Sequence, residues 1–410
     1  MKQQMVTTSK TRLGLYQTLV FRILKNIKIG TIIINDGESI HRFSGQQTDL
    51  MKIVHIKVLD SRAYRRLLFS GSVGAGKSYM LGEWTTDNLP LLIELILANA
   101  KVFAKIDGFI YRIANVFTLV YSYFRGRGLP AAKQDILAHY DVGNDFFAAF
   151  LDTTMMYSCA IYDNETQNQL DASLKKLETV CSALKLTSAD HVLEIGSGWG
   201  GFAFYAVENY DCRVTTTTIS DKQYAYVSEQ IKLRGLENKI TLLNKDYRLL
   251  QGQFDKIVSI EMIEAIGYKN MDNYFQKCSD LLKPGGLLFI QAITINDNAY
   301  QKAKYDSDFI KKYIFPGGCL PSLGSISRAI SKQSEMRLSY INDIGKHYVT
   351  TLQDWLAKFQ SNTEYFIKLG YDSRFIRMWE FYFCYCMAGF NSAHISNIHA
   401  LWQKKLEANE

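Results

Sequence analysis

The chain has 410 residues, 47% of them hydrophobic and only 5 of them proline, which predicts two or three domains with a large buried core and excludes extended disorder. The net charge of +7 is unevenly spread: residues 1–135 carry a net +10 and the remainder −3, a polarity that suits either an anionic partner surface or a solvated basic face. Seven scattered cysteines without a Cys-x-x-Cys pair, and an N-terminus without a secretory apolar core, read as free thiols in a reducing cytoplasm; no uncharged run of about 18 apolar residues is present to span a membrane.

Residues 9–28 place Leu13, Tyr16, Leu19, Ile23 and Ile27 at helical spacing among Arg12, Arg22, Lys25 and Lys28. This is a basic amphipathic helix that packs on its own domain or lies on a membrane surface. Residues 31–34 and 51–58 predict short strands, with Asn35-Asp36-Gly37 as a hairpin signal, and residues 61–70 read as a helix. Residues 71–78 (GSVGAGKS) match the P-loop expression. A phosphate-cradling loop needs a buried strand before it, but residues 63–70 carry paired arginines and read as helical. The expectation is therefore a glycine-rich loop between domain elements, not a nucleotide triphosphatase. Asp87 is expected to cap a helix through 89–100, and apolar helical segments continue to Phe124. The Gly- and Arg-rich break at 123–130 sets the domain boundary, giving a small domain over 1–125 and a larger one over 126–410.

From about residue 135 strands alternate with helices: strand 191–195 and helix 201–209, strand 213–218 and helix 221–234, strand 240–243, strand 254–260 and helix 271–282, a turn at 281–286 and strand 287–290. The pattern predicts an α/β, doubly wound parallel sheet, in which ligands sit at the carboxyl ends of the strands. Glu194, the loop 196–201, Thr218, Gln223, Asp246, Glu261, Glu264 and Gln291 all fall at such ends. In residues 191–201 (HVLEIGSGWGG) an acid precedes the glycine turn, unlike the Gly-x-Gly-x-x-Gly dinucleotide pattern. An acid beside backbone carbonyls suits a cationic ligand end better than a pyrophosphate.

That loop resembles the first motif of S-adenosylmethionine (SAM)-dependent methyltransferases. The chain as a whole resembles the cyclopropane-fatty-acyl-phospholipid synthases and their mycolic-acid relatives. The likeness is carried by residues 139–147 (HYDVGNDFF), 156–160 (MYSCA), 192–201, 218–220 (TIS) with Gln223, 246–248 (DYR), Glu264, 311–321 (KKYIFPGGCLP) and 347–355 (HYVTTLQDW). It implies a Rossmann-like SAM-methyltransferase sheet with a smaller α+β N-terminal domain that faces lipid or dimerises. It implies methylene transfer from SAM to the cis double bond of a phospholipid acyl chain. A methyl-branched or methylene product is the alternative.

The resemblance also implies site residues. Tyr157 and Ser158 would touch the methionine end of SAM, with Glu194 and the loop Gly196, Gly198 and Gly200. Thr218 and Gln223 would meet the ribose, and Asp246 and Tyr247 the adenine. A bicarbonate that takes the proton would be held by Cys159, Glu264, Tyr348, the backbone at Ile293 and the position of Gln291, with no metal. Two positions depart from well-known members: Gln291 replaces a histidine and Glu261 a glycine. A second carboxylate there would repel an anion unless it points away or pairs. A homodimer, a phospholipid membrane partner, no nucleic acid, and a cytoplasmic, peripherally membrane-bound location complete what the resemblance implies.

Overall fold

The computed structural model describes residues 14–37, 39–46, 52–103, 142–164 and 167–406. The chain forms two compact units, 1–114 and 115–410. The expected boundary at 125/126, the apolar segments beyond residue 103, the break at 123–130 and the first three residues of the 139–147 motif lie outside the described residues. Among the described residues no helix is long and apolar enough to cross a membrane.

In the first unit, β1 (Thr31–Asn35), β2 (Ile40–Ser44), β3 (Ile53–Val58) and β4 (Trp84–Thr86) form a sheet in the order β2-β1-β3-β4. The hairpin between β1 and β2 turns on Asn35, whose Oδ1 accepts from the Gly37 amide at 2.9 Å. Two local expectations are corrected. Residues 71–78 are not a loop: they belong to the helix Arg62–Met80, kinked at Gly71 with φ 48° and ψ −129°. A Cβ at Gly74 would lie 2.0 Å from the Arg66 carbonyl, so this glycine permits a close approach between the two arms of the kinked helix. The backbone amides that a P-loop would aim at phosphate are here committed to a helix. The cap of helix Leu89–Ala98 is Asn88, which accepts from the Leu91 amide at 3.0 Å. Asp87 is instead engaged by His55, through its amide at 2.9 Å and its ring Nδ1 at 2.6 Å.

The second unit is built on β5 (His191–Ile195), β6 (Arg213–Thr218), β7 (Ile240–Asn244), β8 (Phe254–Ile260), β9 (Leu282–Ile295), β10 (Arg337–Asp343) and β11 (Ile395–Gln403). They order as β10-β11-β9-β8-β5-β6-β7. The run from β9 to β7 is parallel, but β11 lies antiparallel to β9 and β10 antiparallel to β11. The sheet is therefore mixed rather than wholly parallel. The expected turn at 281–286 and short strand 287–290 are one strand of 14 residues.

Helices cover both faces. Apolar side chains of Gln169–Leu184, Gly201–Tyr210 and Asp221–Leu233 form one core layer, and those of Met271–Leu281 and Leu323–Gln333 the other. Strand order reverses between β5 and β8, the crevice where doubly wound sheets bind ligands.

Candidate active site

The loop after β5 enters this crevice. Gly196, Gly198 and Gly200 take φ of 100°, 50° and 89°, values that side chains disfavour. The amides of Gly196 and Ser197 donate to the Thr217 carbonyl at 3.1 and 2.8 Å, which pins the turn to β6. Beneath it, Glu194 is buried and accepts from Thr216 Oγ1 at 2.5 Å. Burial pushes its carboxyl up to about 8, against the pull of Thr216 and of Lys176. One cavity is lined by Tyr157, Ser158, Glu194, Gly196, Gly198, Thr218, Gln223, Asp246 and Tyr247, which are the residues expected at the cofactor, Gly200 excepted. Gly200 stands behind the rim as the cap of helix Gly201–Tyr210.

Within that cavity the polar side chains are oriented by neighbours. Thr218 Oγ1 donates to Gln223 Oε1 at 2.9 Å. The Asp246 carboxylate is held by Arg248 through Nε at 2.9 Å and Nη2 at 2.8 Å, a bidentate pair that leaves the side chain little freedom. Tyr157 Oη donates to Tyr382 Oη at 2.8 Å, and its ring stacks on Trp355 at 5.0 Å. Behind it, in the buried core, Tyr348 stacks on Phe390 at 4.5 Å.

Glu261 follows directly after β8 and also lines the cavity. Its φ is 48°, in the left-handed region. Four donors reach its carboxylate: the Cys159 amide at 2.9 Å, Gln291 Nε2 at 2.8 Å, Asn397 Nδ2 at 2.6 Å and Tyr348 Oη at 2.6 Å. Gln291 is fully buried and oriented from behind, because its Oε1 faces His399 Nε2 at 3.0 Å while its Nε2 faces the Cys159 carbonyl at 3.2 Å. Burial lowers His399 to about 3, so the ring is neutral and its Nε2 carries the proton that Gln291 accepts.

Glu264 has a different setting. Its Oε1 accepts from the Ile293 amide at 2.5 Å, while its Oε2 is buried without a partner. Burial and the nearby Glu261 push it up to about 8. Burial also raises Glu261, but its hydrogen bonds and Lys176 oppose the rise. Burial thus raises both neighbouring carboxyls, and the four donors on Glu261 oppose the rise there. Lys176 is fully buried, donates to Ser158 Oγ at 2.9 Å, and is lowered to about 8 by burial.

The residues expected around a bicarbonate are thus brought together, but not around an open anion position. Cys159, Gln291 and Tyr348 converge on Glu261, while Glu264 and Ile293 pair with each other. The Cys159 thiol is buried, pushed well up by that burial, and turned toward the Ala160 carbonyl at 3.3 Å. These donors do not fit a second anion, because the carboxylate of Glu261 already occupies them. Sequence reasoning missed Lys176, Asn397 and His399. Lys176 follows another lysine in a helix of mixed polarity, and Asn397 and His399 come near only through the register of β11 against β9.

The 347–355 motif braces this site: Thr351 Oγ1 accepts from the Ala160 amide at 3.2 Å and His347 Nδ1 from the Tyr162 amide at 3.3 Å. The 311–321 motif braces Glu264, whose carbonyl accepts from the Cys319 amide at 2.8 Å.

Comparison with known proteins places this geometry. Residues 129–400 match the sequence profile of the mycolic acid cyclopropane synthetase family. The chain is 36% identical over 358 residues to the cyclopropane-fatty-acyl-phospholipid synthase of Escherichia coli, covering 85% of this chain and 86% of that protein. It is 32% identical over 342 residues to the tuberculostearic acid methyltransferase UfaA1 of Mycobacterium tuberculosis, covering 81% and 78%. Among solved structures, mycolic acid cyclopropane synthase CmaA1 complexed with SAH and CTAB is 27% identical, with a TM-score of 0.62, over 66% of this chain and 98% of that one.

Proposed function

We propose that this chain, which belongs to the mycolic acid cyclopropane synthetase family, is a SAM-dependent lipid methyltransferase whose reaction forms a cyclopropane at the cis double bond of an unsaturated phospholipid acyl chain. The observation that carries the reading is the union, in one cavity, of a SAM-type cradle and the hydrogen-bonded carboxylate of Glu261, with the ring of Tyr157 on its lining.

Glu194, the glycine turn, Thr218, Gln223, Asp246 and Tyr247 are the residues to hold SAM, and Tyr157 and Ser158 face its methionine end. Bound there, SAM supplies an electrophilic methyl group. An alkene is a weak nucleophile, so catalysis rests on fixing both reactants at near-attack distance. The paired side chains described above supply that rigidity. Methylation leaves an electron-poor carbon that water would capture. Tyr157 lines the cavity, backed by the packed rings of Trp355, Tyr348 and Phe390, which make that side apolar, and an aromatic face favours positive charge.

A second reading has support in the tuberculostearic acid methyltransferase and in a probable fatty acid methyltransferase of Pseudomonas putida, 34% identical over 267 residues. In that reading the same electron-poor carbon gives a methyl-branched or methylene chain. The test is to incubate the purified protein with SAM and vesicles of mono-unsaturated phospholipid, then analyse the acyl chains. Gain of a CH₂ with loss of the olefin signal supports cyclopropane formation. The same gain with unsaturation retained supports the second reading. No SAM-dependent change across lipid headgroups overturns both.

A further inference from the structure

We propose that Glu261 is the base that takes the proton from the transferred methyl group, in place of an exogenous bicarbonate. This rests on the methyl-transfer reading above and assigns its proton acceptor.

Three independent observations carry it. The first is convergence. The Cys159 amide, Gln291 Nε2, Asn397 Nδ2 and Tyr348 Oη come from four separate stretches of chain and meet on one carboxylate, at 2.6–2.9 Å. That is the coordination of an anion-binding site, with the anion supplied by the chain itself. The second is position. Glu261 lines the same cavity as Tyr157, Ser158 and Glu194, and it accepts from the amide of Cys159, the residue after Ser158, which puts it beside the pair assigned to the methionine end. Glu264 does not line that cavity. The third is backbone strain. A non-glycine residue at φ 48° is disfavoured, and such strain persists where the surroundings over-determine it, commonly at functional sites. Glycine would relieve it, so the carboxylate is kept against the backbone's preference.

The donors also tune the group. Burial raises its proton affinity above that of a carboxylate in water, and the donors favour the ionised form against that rise. Gln291 cannot act as a base. Tyr348 donates to Glu261 and is itself pushed well up by burial, so it stays protonated.

The alkene π pair forms the new carbon–carbon bond to the methyl carbon, and the carbon–sulfur pair leaves with sulfur as a neutral thioether. One C–H bond of the transferred methyl then gives its proton to a Glu261 Oε, and its electron pair closes the ring. The protonated carboxyl returns its proton to water before the next turnover.

The experiment measures SAM turnover on mono-unsaturated phospholipid vesicles in buffer stripped of carbon dioxide, with and without added bicarbonate. It also measures SAM binding and binding of ¹³C-bicarbonate by NMR. The wild-type rate is expected to be unchanged by bicarbonate, and the wild-type protein to show no bicarbonate binding. Glu261→Gln keeps the shape of the site and is expected to lose about 10²–10⁴-fold in turnover, the usual contribution of a general base, with SAM affinity within about threefold. Glu261→Gly opens the anion position and is expected to bind ¹³C-bicarbonate and to regain turnover when it is added. Wild-type turnover that collapses without bicarbonate, or a Glu261→Gln variant that turns over normally, overturns the proposal while leaving the methyl-transfer reading intact. Wild-type protein that consumes no SAM on any lipid overturns that reading and the proposal with it.

Discussion

Glu194, Glu264 and Lys176 are ionisable groups held inside the protein, and each makes stability depend on pH. Burial raises the two carboxyls to about 8 from an ordinary 4.5, so the folded chain binds their protons more tightly than the unfolded chain. Between those values stability falls as pH rises, and the contribution is complete only below the unfolded pKa. Lys176 acts in the opposite sense above pH 8: folded at about 8 against 10.5, it adds stability as pH rises through that window. The thermal midpoint of the SAM-free protein is expected to drop between about pH 5 and pH 8. Glu264→Gln, which removes the carboxyl but keeps its shape, is expected to flatten that drop; equal slopes in a calorimetric pH series would refute the assignment. Gly200 offers a second test. Its φ of 89° and a Cβ that would stand 2.4 Å from Phe204 Cε2 leave no room for a side chain. Gly200→Ala is expected to destabilise by about 1–3 kcal/mol, read as a lower thermal midpoint and a weaker SAM affinity.

Among the elements, the glycine-rich helix Arg62–Met80 separates pattern from context. Its Gly71 serves a kink and its Gly74 a close approach to Arg66, while Lys77 is exposed. Gly74→Val is expected to lower the thermal midpoint clearly, whereas Lys77→Ala is expected to stay within about 0.5 kcal/mol of wild type. Isothermal titration should detect no ATP binding to wild type that Lys77→Ala abolishes. The same contrast explains what was legible in the sequence. The β5 strand, its acid and its glycine turn announce themselves, because strand period, charge and turn chemistry coincide within eleven residues. The carboxyl-end rule then assembles Thr218, Asp246 and Glu261 without knowledge of contacts. The antiparallel edge was not legible: β10 is exposed along its whole length, and β11 is buried almost throughout, so neither shows strand alternation. Asn397 and His399 were lost with it. Sequence also left open whether Glu261 would repel an anion or be paired, since its four donors lie 30 to 136 positions away.

For the molecule as a whole, charge asymmetry is the feature that bears on a lipid substrate. The net +10 of residues 1–135 contrasts with −3 for the rest. If those cations meet anionic headgroups, binding to anionic vesicles is expected to weaken steeply between about 0.05 and 0.5 M salt, as the screening length shortens below about 10 Å. Co-sedimentation with neutral and anionic vesicles across that range is the measurement. Binding that ignores both salt and headgroup charge would show that apolar contact alone holds the protein to lipid.

β11 follows every other element of the site in the chain, yet it supplies Asn397 to Glu261 and His399 to Gln291. The cradle for SAM, by contrast, is made entirely from residues 155–270. The lining of that cradle, Glu261 included, is therefore synthesised before the strand that supplies Asn397 and His399. A C-terminally clipped chain lacking β11 would keep the lining of the cradle but leave Glu261 without one of its donors and Gln291 without His399, so under the proposal for Glu261 it is expected to lose turnover more than SAM binding.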